Sequence, residues 1–425
     1  MKTIKFPERR EYDNLLRRPV AETASLETLV AGILSDVKLQ GDAALKLYGL
    51  QFDKVQISRF EVEETEFEKA EGLVPEKLKN AIRFAAENIR RFHAAQKESG
   101  QTVETVPGVT CWRKSVPVSS VGLYIPGGSA PLFSTILMLG IPAMLAGCGE
   151  VVMCTPPMPD GTVNPAMLFA ARLVGIRKVF RVGGVQAIGA MAYGTESIPR
   201  VHKIFGPGNG YVTCAKQLIS KEGIAIDLPA GPSELAVLAD KSCVPAFVAA
   251  DLLSQAEHGP DSQVILVTDS EKVIEDVMKQ LGEQLELLPR KELAAQALRN
   301  SKAILVKGME EGMYLLNSYA PEHLIIACRN DQVLAAQVVN AGSVFLGNYA
   351  CESAGDYASG TNHTLPTNGA AKAYSGVSLD SFVKKITFQS ITKEGIQNLG
   401  RAIELMAEAE GLEGHRNAVS VRLAD

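Results

Sequence analysis

The fold class is decided by three apolar runs that each open into a turn: Val151-Val-Met-Cys-Thr-Pro-Pro157, Val179-Phe-Arg-Val-Gly-Gly184 and Lys203-Ile-Phe-Gly-Pro-Gly-Asn-Gly210. Each run is followed by a segment with helical periodicity, near residues 165–174, 186–193 and 211–220. Strand-then-helix alternation of this kind predicts a parallel sheet with helical crossovers.

A second series of strands with helices between them is predicted after this region, at Gln263–Thr268, Ala303–Val306, His323–Ala327 and Ser343–Leu346. Residues 1–100 are predicted to be mostly helical, and Pro131–Ala146 is predicted to be a buried core helix that is too short to span a bilayer. Beyond a long polar loop, Gly347–Thr367, we expect a final amphipathic helix at Ile396–Glu408 and a short tail carrying His415.

Composition excludes several classes of protein. The 425 residues carry a net charge of −5, and the pairs Arg9-Arg10, Arg17-Arg18 and Arg90-Arg91 are interpreted as isolated helix-surface charges, so nucleic acid is not expected as a partner. Seven scattered cysteines without a CxxC motif predict reduced thiols in the cytoplasm. The N-terminus lacks the apolar segment of a signal peptide, and no membrane association is expected.

The turns that follow the predicted strands indicate a ligand crevice. They are Thr155-Pro-Pro157, Gly183-Gly184, Gly206–Gly210 and Pro229-Ala-Gly-Pro-Ser233. In an open α/β sheet, ligands bind beyond the carboxyl ends of the strands, where glycines let backbone N–H groups approach an anion. A pyrophosphate-bearing cofactor suits such a crevice, although the third glycine of the usual dinucleotide motif is missing. Each turn taken alone is also explained as a structural loop.

The segment Ser254-Gln-Ala-Glu-His-Gly-Pro260 ends a predicted helix. Gln255 and His258, spaced i and i+3, project from one side of its last turn, whereas Glu257 points elsewhere. The alternative interpretation is a histidine that merely interacts favourably with the helix dipole.

The six histidines divide into two groups. His93 and His202 lie within or beside regular elements and are interpreted as structural, whereas the other four lie at turns or in polar loops. Glu322-His323 begins a predicted strand, and a carboxylate beside an imidazole is a natural acid/base pair. A solvated pair at a strand end is the alternative.

The long polar loop contains Glu352, Asp356 and His363, which form either an ordinary surface loop or part of a metal site. Zinc accepts such nitrogen and oxygen ligands. The residues alone predict a metal set of His258, Asp356, His415 and one of Gln255 or Glu257. Glutamate is the commoner ligand, but the i, i+3 spacing favours Gln255.

Several motifs closely resemble those of the histidinol dehydrogenase family, over a region from about residue 20 to the C-terminus. They are Gly122-Leu-Tyr-Ile-Pro-Gly-Gly128, Gly206-Pro-Gly-Asn209, Asp227-Leu-Pro-Ala-Gly-Pro-Ser-Glu234, Gln255-Ala-Glu-His258, Ala320-Pro-Glu-His-Leu324, Gly355-Asp-Tyr-Ala-Ser-Gly-Thr-Asn-His363 and Glu410-Gly-Leu-Glu-Gly-His415. The resemblance implies oxidation of L-histidinol, through an aldehyde, to L-histidine, with two NAD⁺ and one zinc ion per subunit.

The resemblance also implies roles for individual residues. The zinc ligands that it implies are Gln255, His258, Asp356 and His415. The implied substrate contacts are Ser233, His323, His363 and Glu410, with Glu352 nearby and the zinc ligands adjacent. The implied NAD contacts are Tyr124, Gln186 and Asn209. His323 is the expected base for the alcohol, and Glu322 is expected to activate water for addition to the aldehyde.

The chain is therefore expected to be an α/β protein with two Rossmann-like, incomplete doubly wound domains and small helical N- and C-terminal segments. The predicted boundaries are an N-terminal arm (1–22), an α/β domain with most metal and catalytic residues (23–122 plus 236–376), a cofactor-binding domain (123–235) and a C-terminal helical tail (377–425). The resemblance implies a homodimer in which this tail completes the partner's active site.

Two other functions use the same residues. A zinc hydrolase would use Glu322 to activate water and would need no NAD⁺, whereas a structural zinc site would need neither Glu322 nor His323. Cys111 and Cys154 are interpreted as core or surface thiols rather than as nucleophiles, because no histidine lies near either in the sequence.

Overall fold

The computed structural model describes residues 1–19, 24–127, 131–228 and 231–425. In chain order the strands are β1 (Lys2–Lys5), β2 (Thr102–Val106), β3 (Val109–Pro117), β4 (Ser120–Tyr124), β5 (Glu150–Thr155), β6 (Lys178–Arg181), β7 (Lys203–Phe205), β8 (Ala225–Ile226), β9 (Glu234–Ala239), β10 (Gln263–Thr268), β11 (Lys302–Leu305), β12 (His323–Ala327), β13 (Ser343–Leu346) and β14 (Val383–Ile391).

The helices in the same ranges are α1 (Tyr12–Leu15), α2 (Ala24–Gln40), α3 (Asp42–Tyr48), α4 (Glu64–Leu73), α5 (Glu76–Ala94), α6 (Phe133–Ala146), α7 (Pro165–Val174), α8 (Gly184–Tyr193), α9 (Gly210–Lys221), α10 (Pro245–Ala256), α11 (Glu271–Leu285), α12 (Lys291–Arg299), α13 (Met309–Tyr319), α14 (Asp331–Ala335), α15 (Glu352–Tyr357), α16 (Lys393–Ala409) and α17 (Glu413–Leu423). Gly128 of the first family-like motif, residues 229 and 230 of the last predicted turn, and the predicted boundary between residues 22 and 23 lie outside the described residues.

The first parallel sheet has five strands in the order β6-β5-β4-β7-β8. Counted along the chain this order is 3-2-1-4-5, which is the Rossmann order without its sixth strand. The parallel sheet predicted from the 151–210 region is therefore confirmed.

The second parallel sheet repeats the same order in β11-β10-β9-β12-β13 and adds β1 at its edge. Strand β1 pairs in parallel with β11, with Lys2 opposite Lys302. The prediction of mostly helical structure for residues 1–100 missed this strand, because a four-residue edge strand that is largely exposed has no apolar alternation. The predicted fold class, with two incomplete Rossmann-like sheets, is confirmed.

Apolar cores cover both faces of each parallel sheet. Along β9, Leu235 and Val237 belong to one core, whereas Ala236 and Leu238 belong to the core on the opposite face. Such strands are apolar throughout rather than alternating, because helices bury both of their faces. The predicted core helix at Pro131–Ala146 is confirmed as α6, and its central residues are buried.

A third, antiparallel sheet, β14-β3-β2, carries the C-terminal helices α16 and α17. The prediction of a final helix followed by a short tail was wrong, because α17 follows α16 and packs against it. Only Val419 of α17 is buried, so this helix lacks the apolar stripe that would have revealed it in the sequence.

The segment predicted as a long polar loop, Gly347–Thr367, contains the short helix α15. None of the helices in the described ranges combines the length and the apolar character needed to cross a membrane. The four domain boundaries given above remain a prediction.

Candidate active site

A cluster of potential metal ligands forms where α10 ends and α15 begins. One ligand atom from each of His258, Glu352 and Asp356 lies within 4.8 Å of the other two. Glu352 and Asp356 are spaced i and i+4 on α15, which places both carboxylates on one side of that helix. An imidazole with two carboxylates fits a divalent cation such as zinc.

Gln255 is buried beside this cluster and Glu257 is not part of it. With Nε2 of its carboxamide facing α15, Gln255 donates a hydrogen bond to Glu352 Oε2 at 2.9 Å. Gln255 therefore contacts the cluster, and Glu257 is not one of the grouped ligands, which favours Gln255 over Glu257 as the ligand at this corner, through its carboxamide oxygen.

Two predicted site residues are not brought to the cluster within one chain. His415 is exposed on the first turn of α17, and Glu410 is exposed where α16 ends. Neither residue belongs to the group of candidate ligands that His258 forms with α15. A single subunit thus leaves this part of the predicted site without its C-terminal residues.

Glu322 and His323 lie together at the beginning of β12. This strand pairs in parallel with β9, which sets His323 opposite Leu235 and places Glu322 beside Glu234. Glu322 Oε2 accepts a hydrogen bond from the Glu234 N–H at 2.9 Å, and His323 Nδ1 donates to the Glu234 carbonyl at 3.2 Å. The backbone of one residue therefore holds both side chains.

The remaining ring nitrogen of His323 is the one available for chemistry. His323 Nε2 is buried without a hydrogen-bond partner, and Asp356 Oδ1 of the ligand cluster lies 3.6 Å away. Because Nδ1 donates to the Glu234 carbonyl, Nε2 is the ring nitrogen at which His323 can exchange a proton with a substrate.

Burial and neighbouring charges shift the pKa values of both Glu322 and His323. Burial raises the pKa of Glu322 to about 8, because the ionised carboxylate is desolvated. Burial alone would lower the pKa of His323, but the negative charge of Glu322 and the contact with Asp356 outweigh it and raise that pKa to about 10. The pair therefore holds a proton near neutral pH, as acid/base exchange requires.

The other two histidines of the cleft are kept neutral. Burial lowers the pKa of His363, and it lowers the pKa of His258 although the ring of His258 is open to the cleft. His363 contacts the Asp356 carbonyl through Nδ1 at 3.0 Å and Thr135 Oγ1 through Nε2 at 3.1 Å. Neutral imidazoles are the form that binds a metal or accepts a hydrogen bond.

Two cavities meet at Asn209. A cavity of about 800 Å³ is lined by Asn209, Ser233 and His258, and a second of about 570 Å³ is lined by Asn209, Tyr124 and Gly184. The second cavity lies at the carboxyl ends of the first parallel sheet, where the glycine turns predicted a ligand crevice. Asn209 also caps α9, accepting hydrogen bonds from the N–H groups of the first turn.

The remaining residues predicted to contact NAD lie in the first turn of α8 or next to it. The Tyr124 hydroxyl accepts a hydrogen bond from the Gly184 N–H at 3.1 Å. Gln186 is almost completely buried, and its Oε1 has no hydrogen-bond partner. An unsatisfied buried acceptor next to an N-terminal helix turn is compatible with a bound polar ligand.

Sequence reasoning missed two residues that support the site. Glu234 was recognised only as the last residue of a family-like motif, yet its peptide groups hold Glu322 and His323. Arg18 was interpreted as a helix-surface charge, which was wrong: its side chain is only 16% exposed, and it lies outside any helix. A sequence gives no local signal for an arginine whose partners lie more than 200 residues away.

The cysteines show no sign of catalytic use. All seven are free thiols, and complete burial raises the pKa of the Cys154 thiol far above its ordinary value. Cys111 lies on β3 of the antiparallel sheet. Both observations agree with the interpretation of these residues as core or surface thiols.

Comparison with known proteins gives consistent matches over nearly the whole chain. The family model described as histidinol dehydrogenase matches residues 16–423. The chain is 59% identical to a histidinol dehydrogenase of Bacteroides thetaiotaomicron, covering 100% of this chain and 99% of the relative. It is 54% identical to one of Xanthomonas axonopodis pv. citri, covering 96% and 95%. A crystal structure of histidinol dehydrogenase from Elizabethkingia anophelis superposes with a TM-score of 0.98 at 55% identity, covering 100% of this chain and 98% of that one.

Proposed function

Because this chain belongs to the histidinol dehydrogenase family and is thus an oxidoreductase acting on histidinol in histidine biosynthesis, we propose that it oxidises L-histidinol through L-histidinaldehyde to L-histidine with zinc and NAD⁺. The observation that carries the proposal is the buried Glu322–His323 pair, whose free imidazole nitrogen lies 3.6 Å from Asp356 of the ligand cluster. A hydrolase or a purely structural metal site does not agree with the family.

We assign the zinc ion to Gln255, His258, Asp356 and the partner's His415, with Glu352 adjacent. When bound, zinc supplies positive charge that anchors the imidazole and amine of the substrate and offsets the carboxylates that raise the pKa of His323. The closeness of His258, Glu352 and Asp356 supports this assignment.

We assign NAD to the cavity lined by Tyr124 and Asn209, with Gln186 behind it. When bound, NAD⁺ supplies the hydride acceptor for each of the two oxidations. Asn209 lines both this cavity and the one that contains Ser233 and His258, which supports transfer between neighbouring sites. Ser233, His363 and Glu410 of the partner subunit are assigned to the substrate.

His323 removes a proton in each oxidation. An alcohol loses hydride readily only as its oxygen becomes negatively charged, so His323 Nε2 takes the hydroxyl proton in the first step. An aldehyde must add water before it can lose a second hydride, and Glu322 takes the proton from that water. The resulting diol then loses its hydroxyl proton to His323.

We propose that the active enzyme is a homodimer with shared sites. The C-terminal module of β14, α16 and α17 exposes large apolar side chains, namely Ile386, Phe388, Ile391, Leu405, Met406, Leu412 and Val421. Exposed apolar groups concentrated on one module favour burial against another chain. The same module carries Glu410 and His415, which the cluster of a single subunit lacks.

The proposal is tested by following reduced nicotinamide at its absorbance wavelength with histidinol and NAD⁺, before and after removal of metal by a chelator. We expect two molecules of reduced cofactor per histidinol, loss of this activity without metal, and recovery on adding zinc. The far-ultraviolet circular dichroism should barely change, because the ligands come from separate segments whose cores are apolar. Full activity in a verified metal-free sample would exclude the metal from the reaction.

A further inference from the structure

Arg18 lies in the N-terminal segment and reaches the centre of the molecule. Its Nε contacts Glu234 Oε1, and its Nη2 donates to Glu234 Oε2 and to the Tyr319 carbonyl, both at 2.8 Å. Nη2 also lies 3.4 Å from the Ala320 carbonyl, and the guanidinium carbon stacks 4.0 Å from the centre of the Tyr319 ring. A guanidinium paired with both oxygens of a carboxylate is fixed in direction as well as in position.

The groups that Arg18 holds are the ones that hold the acid/base pair. Glu234 binds Glu322 through its N–H and His323 through its carbonyl. Tyr319 and Ala320 lead directly into Pro321-Glu322. Ala320 has a left-handed backbone with φ of +54°, a conformation that a non-glycine residue rarely adopts and keeps only when its neighbours hold it.

We propose that Arg18 is a positioning residue for the two reacting side chains, Glu322 and His323, and acts on them through Glu234 and through the 319–320 carbonyls. The inference rests on the proposed function, because it takes the roles of Glu322 and His323 from it. No contact of Arg18 with the ligand cluster is involved. Arg18 therefore supports the acid/base pair although it lies more than 300 residues before that pair in the chain.

A displacement of about 1 Å in a reacting group lowers the rate by about 100-fold, whereas binding of the substrate depends on other contacts. The proposal thus separates kcat from KM. A role in stability alone would reduce the fraction of folded protein and leave the turnover of each folded subunit unchanged.

The test compares Arg18→Met with Arg17→Met, an exposed neighbour whose side chain makes no described contact. We expect Arg18→Met to lower kcat by about 100-fold for histidinol and for added histidinaldehyde, with KM changed less than threefold. Guanidinium ion added to the assay should restore part of the lost kcat in Arg18→Met and none in Arg17→Met. Arg17→Met itself should retain wild-type kcat.

Arg18→Met leaves Glu234 buried without its cation, so the double variant Arg18→Met/Glu234→Gln is measured as well. This variant removes both charges at nearly constant shape, and we expect it to fold and to keep a kcat at least tenfold below wild type. Wild-type kcat per folded subunit in either variant would overturn the inference. Absence of histidinol-dependent NAD⁺ reduction in the wild type would instead refute the proposed function.

Discussion

Glu322 is a carboxyl group placed where water cannot stabilise its charge, and that placement suits a base that must take a proton from water. We expect Glu322→Gln to slow oxidation of added histidinaldehyde by about 10²–10⁴-fold, because the amide keeps the shape but cannot accept the proton. The first oxidation should be affected less. The exposed residue Glu310 provides the matched control, and Glu310→Gln should be fully active. An unchanged rate with aldehyde in Glu322→Gln would contradict the assigned role.

His93 illustrates a buried histidine used for structure alone. Its Nδ1 contacts Gln96 Oε1 at 3.0 Å and its Nε2 contacts the Asn362 amide nitrogen at 3.4 Å, so the neutral ring satisfies both partners. Burial lowers its pKa below the ordinary value of 6.5. The unfolded chain therefore binds a proton at His93 more readily than the folded chain does. The contribution of the neutral His93 to the stability of the fold is present above pH 6.5 and is lost as the pH falls below that value.

We accordingly expect the free energy of unfolding to fall between pH 7.5 and pH 5.5 more steeply for the wild type than for His93→Gln. One proton corresponds to at most about 1.4 kcal/mol per pH unit, which limits the difference in slope. Urea denaturation of both proteins at several pH values measures this difference in the slope of the free energy of unfolding against pH. Parallel curves for the two proteins would show that His93 contributes nothing to the pH dependence.

At the scale of elements, the turn after β7 shows why a glycine is needed beside the cavity that we assign to NAD. Gly206 has φ of +130°, and a Cβ there would collide with the Tyr124 carbonyl oxygen. The Gly206 N–H donates a hydrogen bond to Asp227, and Lys216 donates one to the Gly206 carbonyl. The turn therefore cannot move aside without breaking these bonds.

We therefore expect Gly206→Ala to weaken NAD⁺ binding at least tenfold, as measured by calorimetry with the folded variant. Gly223 has φ of +87°, but a Cβ added there would meet no atom of a non-adjacent described residue within 4 Å, so Gly223→Ala separates backbone strain from collision. That control should lose about 1 kcal/mol of stability and keep its affinity for NAD⁺. Equal affinities in the two variants would argue against the turn as part of the cofactor site.

The two parallel sheets share one strand order, but their candidate functional residues lie at opposite ends of the strands. The first sheet opens a cavity beyond the carboxyl ends of its strands, as the crevice rule predicts. The second sheet places the proposed acid/base pair at the amino ends of β9 and β12, where Glu234 and His323 begin the strands. At the carboxyl end of the second sheet, Asp240 accepts hydrogen bonds from the Ser242 and Arg329 N–H groups.

The apolar pattern of the sequence predicts buried elements better than exposed ones. Apolar runs that alternate with helical stripes predicted the parallel strands β5, β6, β7, β10, β11, β12 and β13. The buried central strand β9 and the short strand β8 were not among the predicted strands. These patterns did not predict β1, β14 or α17, which are exposed and gain their structure from pairing or packing with distant segments. The crevice rule indicated the glycine turn that contains Asn209, whereas Tyr124 came only from the family resemblance. Glu322-His323 was predicted at the beginning of a strand, where the crevice rule does not apply.

At the scale of the whole molecule, the candidate site is divided among segments that no local pattern connects. Residues 255–258 follow β9, residues 322–323 follow α13, and residues 352–363 follow β13. Their order in the chain gives no distance between them. The residue types suggested a metal set of His258, Asp356, His415 and Gln255 or Glu257, and the family resemblance supplied the substrate and NAD contacts. His415 is harder still to connect with the site, because it is expected to contact the ligand cluster of another chain.

Mixed dimers can show whether His415 reaches the active site of the partner subunit. If the partner's His415 completes each site, a mixed dimer of one His258→Ala chain and one His415→Ala chain has one site with both lesions and one site with none. Random mixing makes half of the dimers hybrid, each with one live site of two, so the activity should reach about a quarter of wild type.

The chains carry different affinity tags and are co-expressed, and hybrid dimers are isolated through both tags before the assay, so that failure to exchange cannot imitate a negative result. Isolated hybrids should then have about half of the wild-type activity per dimer, because one of their two sites is intact. Each variant expressed alone should be inactive, since every site in it lacks a proposed ligand. A tail that folds back onto its own subunit damages both sites of the hybrid, and inactivity of purified hybrids would therefore exclude shared sites.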